Sequence, residues 1–331
     1  MGSGHCDLGD RTERLGGNPL NRCKLARIFA LMPKAIPLLD AGRFLQGDDA
    51  ARTAFAQDLR DAFSRYGFVT LEGHGLDADL IQQTYQSAAS FFGLPVEQKM
   101  ASQIPGVGGN FGYTPFGQEH AKDEARADLK EFYHFAQTHY TQPDCAAVPE
   151  FTKGGQKLYA DLEALAIELL KAVAMGLDLP EDHFTEQVKG GNSILRVLHY
   201  PPAPDAPADA PRAGSHEDIN LITLLVGSSA DGLEVLDMDG DWIPVRAHSQ
   251  HLTVNVGDML QNFTGGVLRS TTHRVVLPEG EGRSKSRFSL PFFLHPQGSM
   301  PLDPVMGDRE AHPCWTAEAF LNHRLKEIGL S

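Results

Sequence analysis

The chain has few of the features that mark disulfide-rich, membrane-spanning and nucleic-acid-binding proteins. Its four cysteines show no C-x-x-C spacing, so neither a zinc knuckle nor a disulfide framework is indicated. No apolar run approaches the roughly 18 residues of a membrane span, and the first residues lack the apolar segment of a secretory signal. The 29 Lys and Arg against 43 Asp and Glu give a formal charge of −14, which disfavours nucleic acid and anionic membranes as partners. We therefore expect a cytoplasmic protein with a small-molecule partner and leave its oligomeric state open.

The organisation of the chain is expected to change at three positions. Residues 1–31 are rich in Gly, Arg and Asn and show no sustained period, so we interpret them as a disordered leader, a tag remnant or a mis-called start. Met32 is the alternative start, because "MPKAIPLLD" leads directly into organised sequence. We expect one structural unit after it, made of an N-terminal α/β region over 32–192, a core over 193–300, and a C-terminal extension with a helix over 301–331.

The region before residue 193 has a mostly helical hydrophobic period. Residues 50–67 predict an amphipathic helix, followed by a short strand at 68–71 and a second helix within 77–95. The glycine-rich residues 106–118 predict irregular structure. Residues 153–178 carry apolar side chains at helical spacing over several turns and give the clearest helix. These helices are expected to flank a sheet.

From residue 193 the period becomes that of β-strands. Seven short apolar or alternating runs follow one another, separated by Gly, Pro, Asp and Ser, and no helix is predicted between them. They are "SILRVLHY", "LITLLVG", "GLEVLDM", "WIPVRA", "LTVNVGDML", "STTHRVVL" and "RFSLPFFL". The Pro- and Ala-rich residues 201–213 predict a solvent-facing loop. The pattern indicates a mainly β fold with flanking helices and a closed antiparallel sandwich or jelly-roll core.

A possible metal site is marked by "GSHEDINLITLLV". His216 and Asp218 are two residues apart, so on a strand both side chains would lie on the same face. A third ligand, His273, comes 55 residues after Asp218 at the start of another predicted strand. Two imidazoles and one carboxylate leave three positions of an octahedral ion open, which suits Fe(II) that must bind a cosubstrate and O2 together. A structural zinc site would instead close four positions.

An anion site is indicated by Arg287 and Ser289, which share a face of the strand after His273. An arginine inside a barrel strand is costly unless it meets an anion, and its planar fork suits a carboxylate. The serine hydroxyl adds a donor. The implied ligand is a small dicarboxylate, with one end on the arginine and the other on iron.

At this point the sequence resembles the isopenicillin N synthase-like branch of the iron(II)/2-oxoglutarate-dependent oxygenases, over nearly all of residues 36–300. The motifs that carry the resemblance are "IPLLD", "GFVTLEGHGL", "FFGLPVEQK", "FGYTPFG", "DLKEFYHF", "LRVLHYPP", "HEDINLITLLV", "GLEVLDMDGDWIPV", "VNVGDMLQNFTGGVLRSTTHRV" and "RFSLPFFLHP".

The resemblance implies a double-stranded β-helix (jelly-roll) core, Fe(II), 2-oxoglutarate as cosubstrate, and O2. By position, His216, Asp218 and His273 match the iron ligands. Arg287 and Ser289 match the residues that hold the distal carboxylate of 2-oxoglutarate, and Tyr200 matches a tyrosine that assists them. Phe293 shares the strand face of Ser289 and is a candidate substrate-lining residue.

The resemblance leaves the reaction open among several outcomes. The principal interpretation is an oxygenase that hydroxylates, desaturates or ring-closes a small molecule, with CO2 and succinate formed. Two alternatives are the ethylene- and succinate-forming reaction on 2-oxoglutarate, and a 2-oxoglutarate-independent oxidase like isopenicillin N synthase. The latter is kept because Leu198 stands where plant members have an asparagine. A non-catalytic jelly-roll binding protein is a further alternative.

Overall fold

The computed structural model describes residues 34–104, 111–116, 130–136, 143, 145–205, 211–227, 229–246, 248–277 and 280–327. The predicted leader, residues 1–31, lies outside the described residues. From Ile36 onward the chain forms one compact unit.

Aspartate side chains cap the two helices that were predicted within residues 50–67 and 77–95. Asp48 accepts a hydrogen bond from Ala51 N at 2.9 Å, and Asp77 accepts one from Asp79 N at 2.8 Å, so each satisfies a backbone donor at a helix start. Both helices were predicted. Within the described residues the α-helices are α1 (Gly42–Leu45), α2 (Asp49–Arg65), α3 (Ala78–Phe92), α4 (Val96–Met100), α5 (Pro149–Gly176), α6 (Thr185–Val188), α7 (Asp258–Phe263) and α8 (Ala317–Glu327). None of these helices is long and apolar enough to cross a membrane.

Gly67 joins α2 to the sheet in a conformation that only glycine adopts easily. Its φ of 68° lies in the left-handed region, and a Cβ there would stand 2.4 Å from the carbonyl oxygen of Arg269. The chain therefore turns sharply into the strand predicted at 68–71.

The strands form two sheets, and neighbouring strands are antiparallel except for the first pair. In chain order they are β1 (Leu38–Asp40), β2 (Phe68–Glu72), β3 (Gly112–Thr114), β4 (Glu131–Ala136), β5 (Ile194–Tyr200), β6 (Ala213–His216), β7 (Ile222–Val226), β8 (Leu233–Leu236), β9 (Trp242–Val245), β10 (Leu252–Val256), β11 (His273–Val275) and β12 (Arg287–Leu294). The larger sheet has the order β1-β2-β10-β7-β12-β5-β4-β3, and the smaller has the order β6-β11-β8-β9. A cavity lined by both sheets lies between them. This arrangement confirms the predicted jelly-roll core with flanking helices.

The helices cover the outer face of the larger sheet. Helix α5 contributes a buried row that includes Leu158, Leu162 and Leu169 to the main hydrophobic core. Phe151, in its first turn, stacks on Phe91 of α3 with ring centroids 4.5 Å apart. Because one face of the sheet is sealed in this way, the other face is available for the cavity.

Three sequence predictions about local structure were wrong. A short helix, α7, interrupts the strands that were expected to follow one another directly. Strand β3 lies inside the glycine-rich residues 106–118, where it pairs with β4. The predicted loop 201–213 ends in a buried Arg212 and the first residue of β6. Helix α7 and strand β3 are too short to show a hydrophobic period in the sequence. Their structure, like the burial of Arg212, depends on contacts with residues that are distant in the sequence.

Candidate metal centre and cosubstrate cavity

The two histidines of the predicted metal site face each other across neighbouring strands. His216 is the last residue of β6 and His273 the first of β11, and the two are direct partners in the register. Their ring centroids are 4.3 Å apart. Asp218 lies two residues beyond β6, in a loop, so the expectation that it shares a strand face with His216 was wrong. The loop nevertheless brings its carboxylate beside both imidazoles.

The three side chains present one ligand atom each to a common point. Asp218 Oδ1 lies 3.9 Å from His216 Nε2 and 3.8 Å from His273 Nε2. The set is the group among the described residues with the spacing of a metal site. All three ligand atoms lie within 4.8 Å of one another, which is the spacing of a group that could hold one metal ion. The donors therefore fit an iron ion.

Hydrogen bonds to the remaining atoms fix the orientation of the two imidazoles. His216 Nδ1 lies 2.7 Å from the carbonyl oxygen of Gly214, and His273 Nδ1 lies 3.1 Å from that of Thr271. Because a carbonyl only accepts, each Nδ1 carries the proton, and Nε2 is left to bind metal. The sequence prediction did not include these two supports.

The carboxylate of Asp218 is held from behind by two buried donors. Thr223 Oγ1 donates to Asp218 Oδ2 at 2.6 Å, and Asn255 Nδ2 donates to the same oxygen at 2.8 Å. Oδ1 is thereby turned toward the histidines. Sequence analysis missed Thr223 and Asn255, although both are polar residues inside apolar strands, and that is the signal that could have found them.

The protonation states of these groups suit metal binding. Burial lowers the pKa of His216, and the neighbouring His273 lowers it further, so the imidazole is neutral at pH 7. The His216 side chain keeps 44% of its surface accessible, which leaves its edge open to the cavity. Burial alone would raise the pKa of Asp218, but the two histidines and the hydrogen bonds outweigh it and hold the pKa below its usual value. The triad thus offers two neutral imidazoles and a carboxylate.

Arg287 lies fully buried at the other end of the cavity. It is 1% exposed, and its Nη1 is a buried atom without a hydrogen-bond partner in the described structure. Nε donates to the carbonyl of Ala230 at 3.3 Å. The guanidinium lies 5.2 Å from the ring of Tyr200, its direct partner in the β5–β12 register. A buried cation with an unsatisfied donor fits an anion, and 2-oxoglutarate supplies a carboxylate.

A second buried arginine reinforces this positive region. Arg212 is 2% exposed, and its Nη2 donates to the carbonyl of Lys285 at 3.0 Å. Burial lowers the pKa of Arg212, and the charge of Arg287 lowers it further. Arg212 was predicted to lie in a solvent-facing loop, and no local pattern marks it as buried.

The predicted site residues line one cavity. Arg287, Ser289, Pro291 and Phe293 alternate along β12 and all line it. Tyr200 and the three triad residues line it as well. Sequence analysis missed two cations in the same lining, Lys130 before β4 and Arg196 on β5.

A clamp of charged residues joins the C-terminal helix to the loop of the triad. Arg324 on α8 forms an ion pair with Asp258 at 2.9 Å and reaches Glu217, between two triad residues, at 4.0 Å. The backbone N–H of Asp258 donates to the carbonyl of Asp218 at 2.7 Å. The tail of the chain therefore supports the loop that carries Asp218.

Comparison with known proteins agrees with this geometry. Residues 36–151 match the profile of the non-haem dioxygenase in morphine synthesis N-terminal family, and residues 191–296 match the 2OG-Fe(II) oxygenase superfamily. Proline hydroxylase buaE from Petromyces alliaceus is 34% identical over 78% of this chain and 86% of its own length. The chain belongs to the 2OG-Fe(II) oxygenase superfamily.

Solved structures of this superfamily share the fold. A 2OG-Fe(II) oxygenase family protein from Caulobacter crescentus is 40% identical, with a TM-score of 0.78 over 89% of this chain and 100% of that one. A full-length Neurospora crassa protein in complex with alpha-KG is 27% identical, with a TM-score of 0.80 over 89% of this chain and 99% of that one. The protein is thus a 2-oxoglutarate- and Fe(II)-dependent dioxygenase that acts on a small molecule.

Proposed function

We propose that this dioxygenase binds Fe(II) through His216 Nε2, Asp218 Oδ1 and His273 Nε2. The observation that carries the proposal is the convergence of these three atoms at the spacing of one ion, with each side chain oriented by a hydrogen bond behind it. Two imidazoles and a carboxylate leave open the positions that a cosubstrate and O2 require.

We propose further that Arg287, Ser289 and Tyr200 hold the distal carboxylate of 2-oxoglutarate. The buried Nη1 of Arg287 has no partner in the described structure, and a carboxylate oxygen supplies one. When bound, the metal and cosubstrate activate O2 and oxidise the substrate, with CO2 and succinate as by-products. The protein positions the reactants and keeps water away from them, because Phe68, Leu225 and other apolar side chains line the cavity around the triad.

Phe293 is proposed to contact the substrate. It alternates with Ser289 on β12, and its backbone pairs with that of Thr223, which holds Asp218. Its ring therefore lies in the lining close to the metal end of the cavity. Replacing Phe293 with alanine is expected to raise KM for the substrate while leaving 2-oxoglutarate binding unchanged.

The decisive experiment is an anaerobic optical titration of the Fe(II)-loaded protein with 2-oxoglutarate. A chelated oxoacid gives a weak visible charge-transfer band, which is expected in the wild type and in the exposed control His248→Ala. The band should be absent in His216→Ala and in Asp218→Ala, because iron itself is lost. Arg287→Met should keep iron but need a much higher 2-oxoglutarate concentration.

Two results would contradict the assignment. Full iron binding by Asp218→Ala would remove the carboxylate from the ligand set. An unchanged 2-oxoglutarate requirement in Arg287→Met would make that arginine structural.

The predicted division of the chain also enters as a proposal. Strands β1 to β4 of region 32–192 share one sheet with strands of the core 193–300, which supports a single structural unit. The scattered cysteines support a location in the reducing cytoplasm. Cell fractionation tests the location, and limited proteolysis tests the unit.

A further inference from the structure

The segment that joins β7 to β8 crosses from the larger sheet to the smaller one and contacts Arg287 on the way. Its described residues are Gly227 and 229–232. The carbonyl oxygen of Ala230 accepts a hydrogen bond from Arg287 Nε at 3.3 Å. This length is near the limit of a hydrogen bond, so a small shift of the carbonyl would weaken the contact. The direction of the guanidinium therefore depends on what holds this segment.

Helix α3 holds the beginning of the segment. Tyr85 Oη donates a hydrogen bond to the carbonyl oxygen of Gly227 at 2.8 Å, between residues that are 142 positions apart in the sequence. Burial raises the pKa of Tyr85 more than the charge of Arg287 lowers it, so the hydroxyl keeps its proton and remains a donor. Tyr85 and Arg287 are therefore close enough to interact electrostatically.

Gly227 is confined on its other side by the turn before β10. A Cβ on Gly227 would stand 2.1 Å from the carbonyl oxygen of His248 and 3.2 Å from that of His251, so the backbone approaches this turn more closely than a side chain allows. The hydrogen bond from Tyr85 and the packing of the turn together leave the backbone of Gly227 little room to move.

Ser229 joins the middle of the segment to β12. Its Oγ accepts a hydrogen bond from Phe288 N at 2.8 Å, and its own backbone N–H donates to the carbonyl oxygen of Phe288 at 3.3 Å. Phe288 lies between Arg287 and Ser289. Helix α3 contacts Phe288 as well, through Phe92, and the two ring centroids are 6.3 Å apart. Helix α3 therefore contacts both the segment and the strand that carries Arg287.

We propose that Tyr85 is a positioning residue for cosubstrate binding. Its hydroxyl holds the segment whose Ala230 carbonyl orients Arg287, so helix α3 sets the direction in which the guanidinium meets the distal carboxylate of 2-oxoglutarate. Tyr85 is not among the described residues that line the cavity, and it therefore acts through the arginine. This inference rests on the proposed function of Arg287 in the same site.

Two oxoacids separate this role from a general loss of structure. 2-Oxopentanoate has the carbon chain of 2-oxoglutarate with a methyl group in place of the distal carboxylate, so it can chelate the metal without an ion pair to Arg287. Anaerobic optical titration of the full Fe(II)-loaded chain gives a Kd for each acid from the charge-transfer band. Tyr85→Phe keeps the ring and removes the hydroxyl. The Kd of 2-oxoglutarate should rise about threefold to tenfold, as the loss of one hydrogen bond predicts, while the Kd of 2-oxopentanoate should not change.

Further variants locate the effect. Tyr133→Phe is the matched control, because the buried Tyr133 on β4 also donates to a backbone carbonyl, that of Pro143 at 3.0 Å, and its loss should leave both Kd values unchanged. In an Arg287→Met background, Tyr85→Phe should have no additional effect on 2-oxoglutarate, because the tyrosine acts through the arginine. If Tyr85→Phe does not fold, Ser229→Ala tests the same segment and should show the same selectivity between the two oxoacids.

The proposal is overturned if Tyr85→Phe leaves the Kd of 2-oxoglutarate unchanged or raises the Kd of both oxoacids equally. It is also overturned if Tyr133→Phe has the same effect, or if the effect of Tyr85→Phe persists in the Arg287→Met background. Failure of the proposed function would give a different result: the wild type would bind both oxoacids equally, or Arg287→Met alone would leave the Kd of 2-oxoglutarate unchanged.

Discussion

Replacing Glu131 with glutamine should destabilise the protein through the loss of one buried charge. Glu131 is 1% exposed at the start of β4 and accepts hydrogen bonds from Lys99 Nζ at 2.7 Å and Tyr113 Oη at 2.6 Å. His199 Nδ1 lies 2.8 Å from its other oxygen. Burial tends to raise the pKa of Glu131, but these partners lower it below its usual value, so the carboxylate is charged at pH 7. Glutamine keeps the shape and removes the charge.

The size of the effect is set by Lys99, which is 5% exposed and would keep its charge without a counter-ion. Removing one partner of a buried pair typically costs about 3–5 kcal/mol. We therefore expect Glu131→Gln to lower the free energy of unfolding by about 3–5 kcal/mol.

A double-mutant cycle isolates this pair. Urea unfolding of the metal-free wild type, Glu131→Gln, Lys99→Met and the double variant is followed at pH 7 by fluorescence and circular dichroism. The double variant should be more stable than the sum of the single effects by about 2 kcal/mol or more, because it buries no unpaired charge. Single effects that add within about 0.5 kcal/mol would refute the reasoning.

The same variant should weaken cosubstrate binding. His199 stacks on Phe288 with ring centroids 4.8 Å apart, and Phe288 lies between Arg287 and Ser289 on β12. Loss of the Glu131 carboxylate weakens the contact that holds His199, and therefore the packing of His199 on Phe288. The Kd of 2-oxoglutarate should rise about threefold to tenfold, which corresponds to about 0.6–1.4 kcal/mol. An unchanged Kd would mean that β12 is held without His199.

Three further predictions concern separate parts of the molecule. Thr223→Val removes the 2.6 Å hydrogen bond to Asp218 and should lower Fe(II) affinity about tenfold to hundredfold in a chelator competition, and unchanged affinity would contradict the positioning role. Burial lowers the pKa of His295 from 6.5 to about 4, so the unfolded chain binds the extra proton and stability falls as pH drops from 6.5 toward 4. His295→Gln should reduce the loss of unfolding free energy between pH 7 and pH 5 by roughly 1–2 kcal/mol, whereas an equal loss in both proteins would show another group to be responsible. Burial raises the pKa of Asp258 to about 6, so Asp258 is charged at pH 8 and mostly protonated at pH 5. Arg324→Met should therefore lower the free energy of unfolding more at pH 8 than at pH 5, because a protonated Asp258 needs no charged partner. A loss of the same size at both pH values in urea unfolding would argue against the ion pair.

The grouping of His216, Asp218 and His273 could be predicted because these residues stand at the ends of apolar runs. Arg287 was singled out as a charge that is costly to bury inside a strand, and Arg196 in "SILRVLHY" and Asn255 in "LTVNV" are likewise polar residues within apolar runs. The same physical signal was therefore present for them.

Other features depend on contacts that no local pattern encodes. Arg212 is buried because β6 pairs with β11, and the support of Asp218 by Asn255 depends on β10 and the loop after β6 coming together. The loop position of Asp218 follows from the path of the chain past His216, which a two-residue spacing does not define. Helix α7 is too short for its period to be measured.

The Arg324 clamp has a consequence for engineering and for divergence among relatives. The superfamily match ends at residue 296, whereas Arg324 lies on α8, beyond it. A chimera that exchanged only the tail between two relatives would keep every proposed iron ligand and yet alter the electrostatic environment of the loop that carries Asp218. A substitution on α8 is therefore expected to reach the proposed ligand Asp218 through Arg324 and Asp258, from outside the barrel.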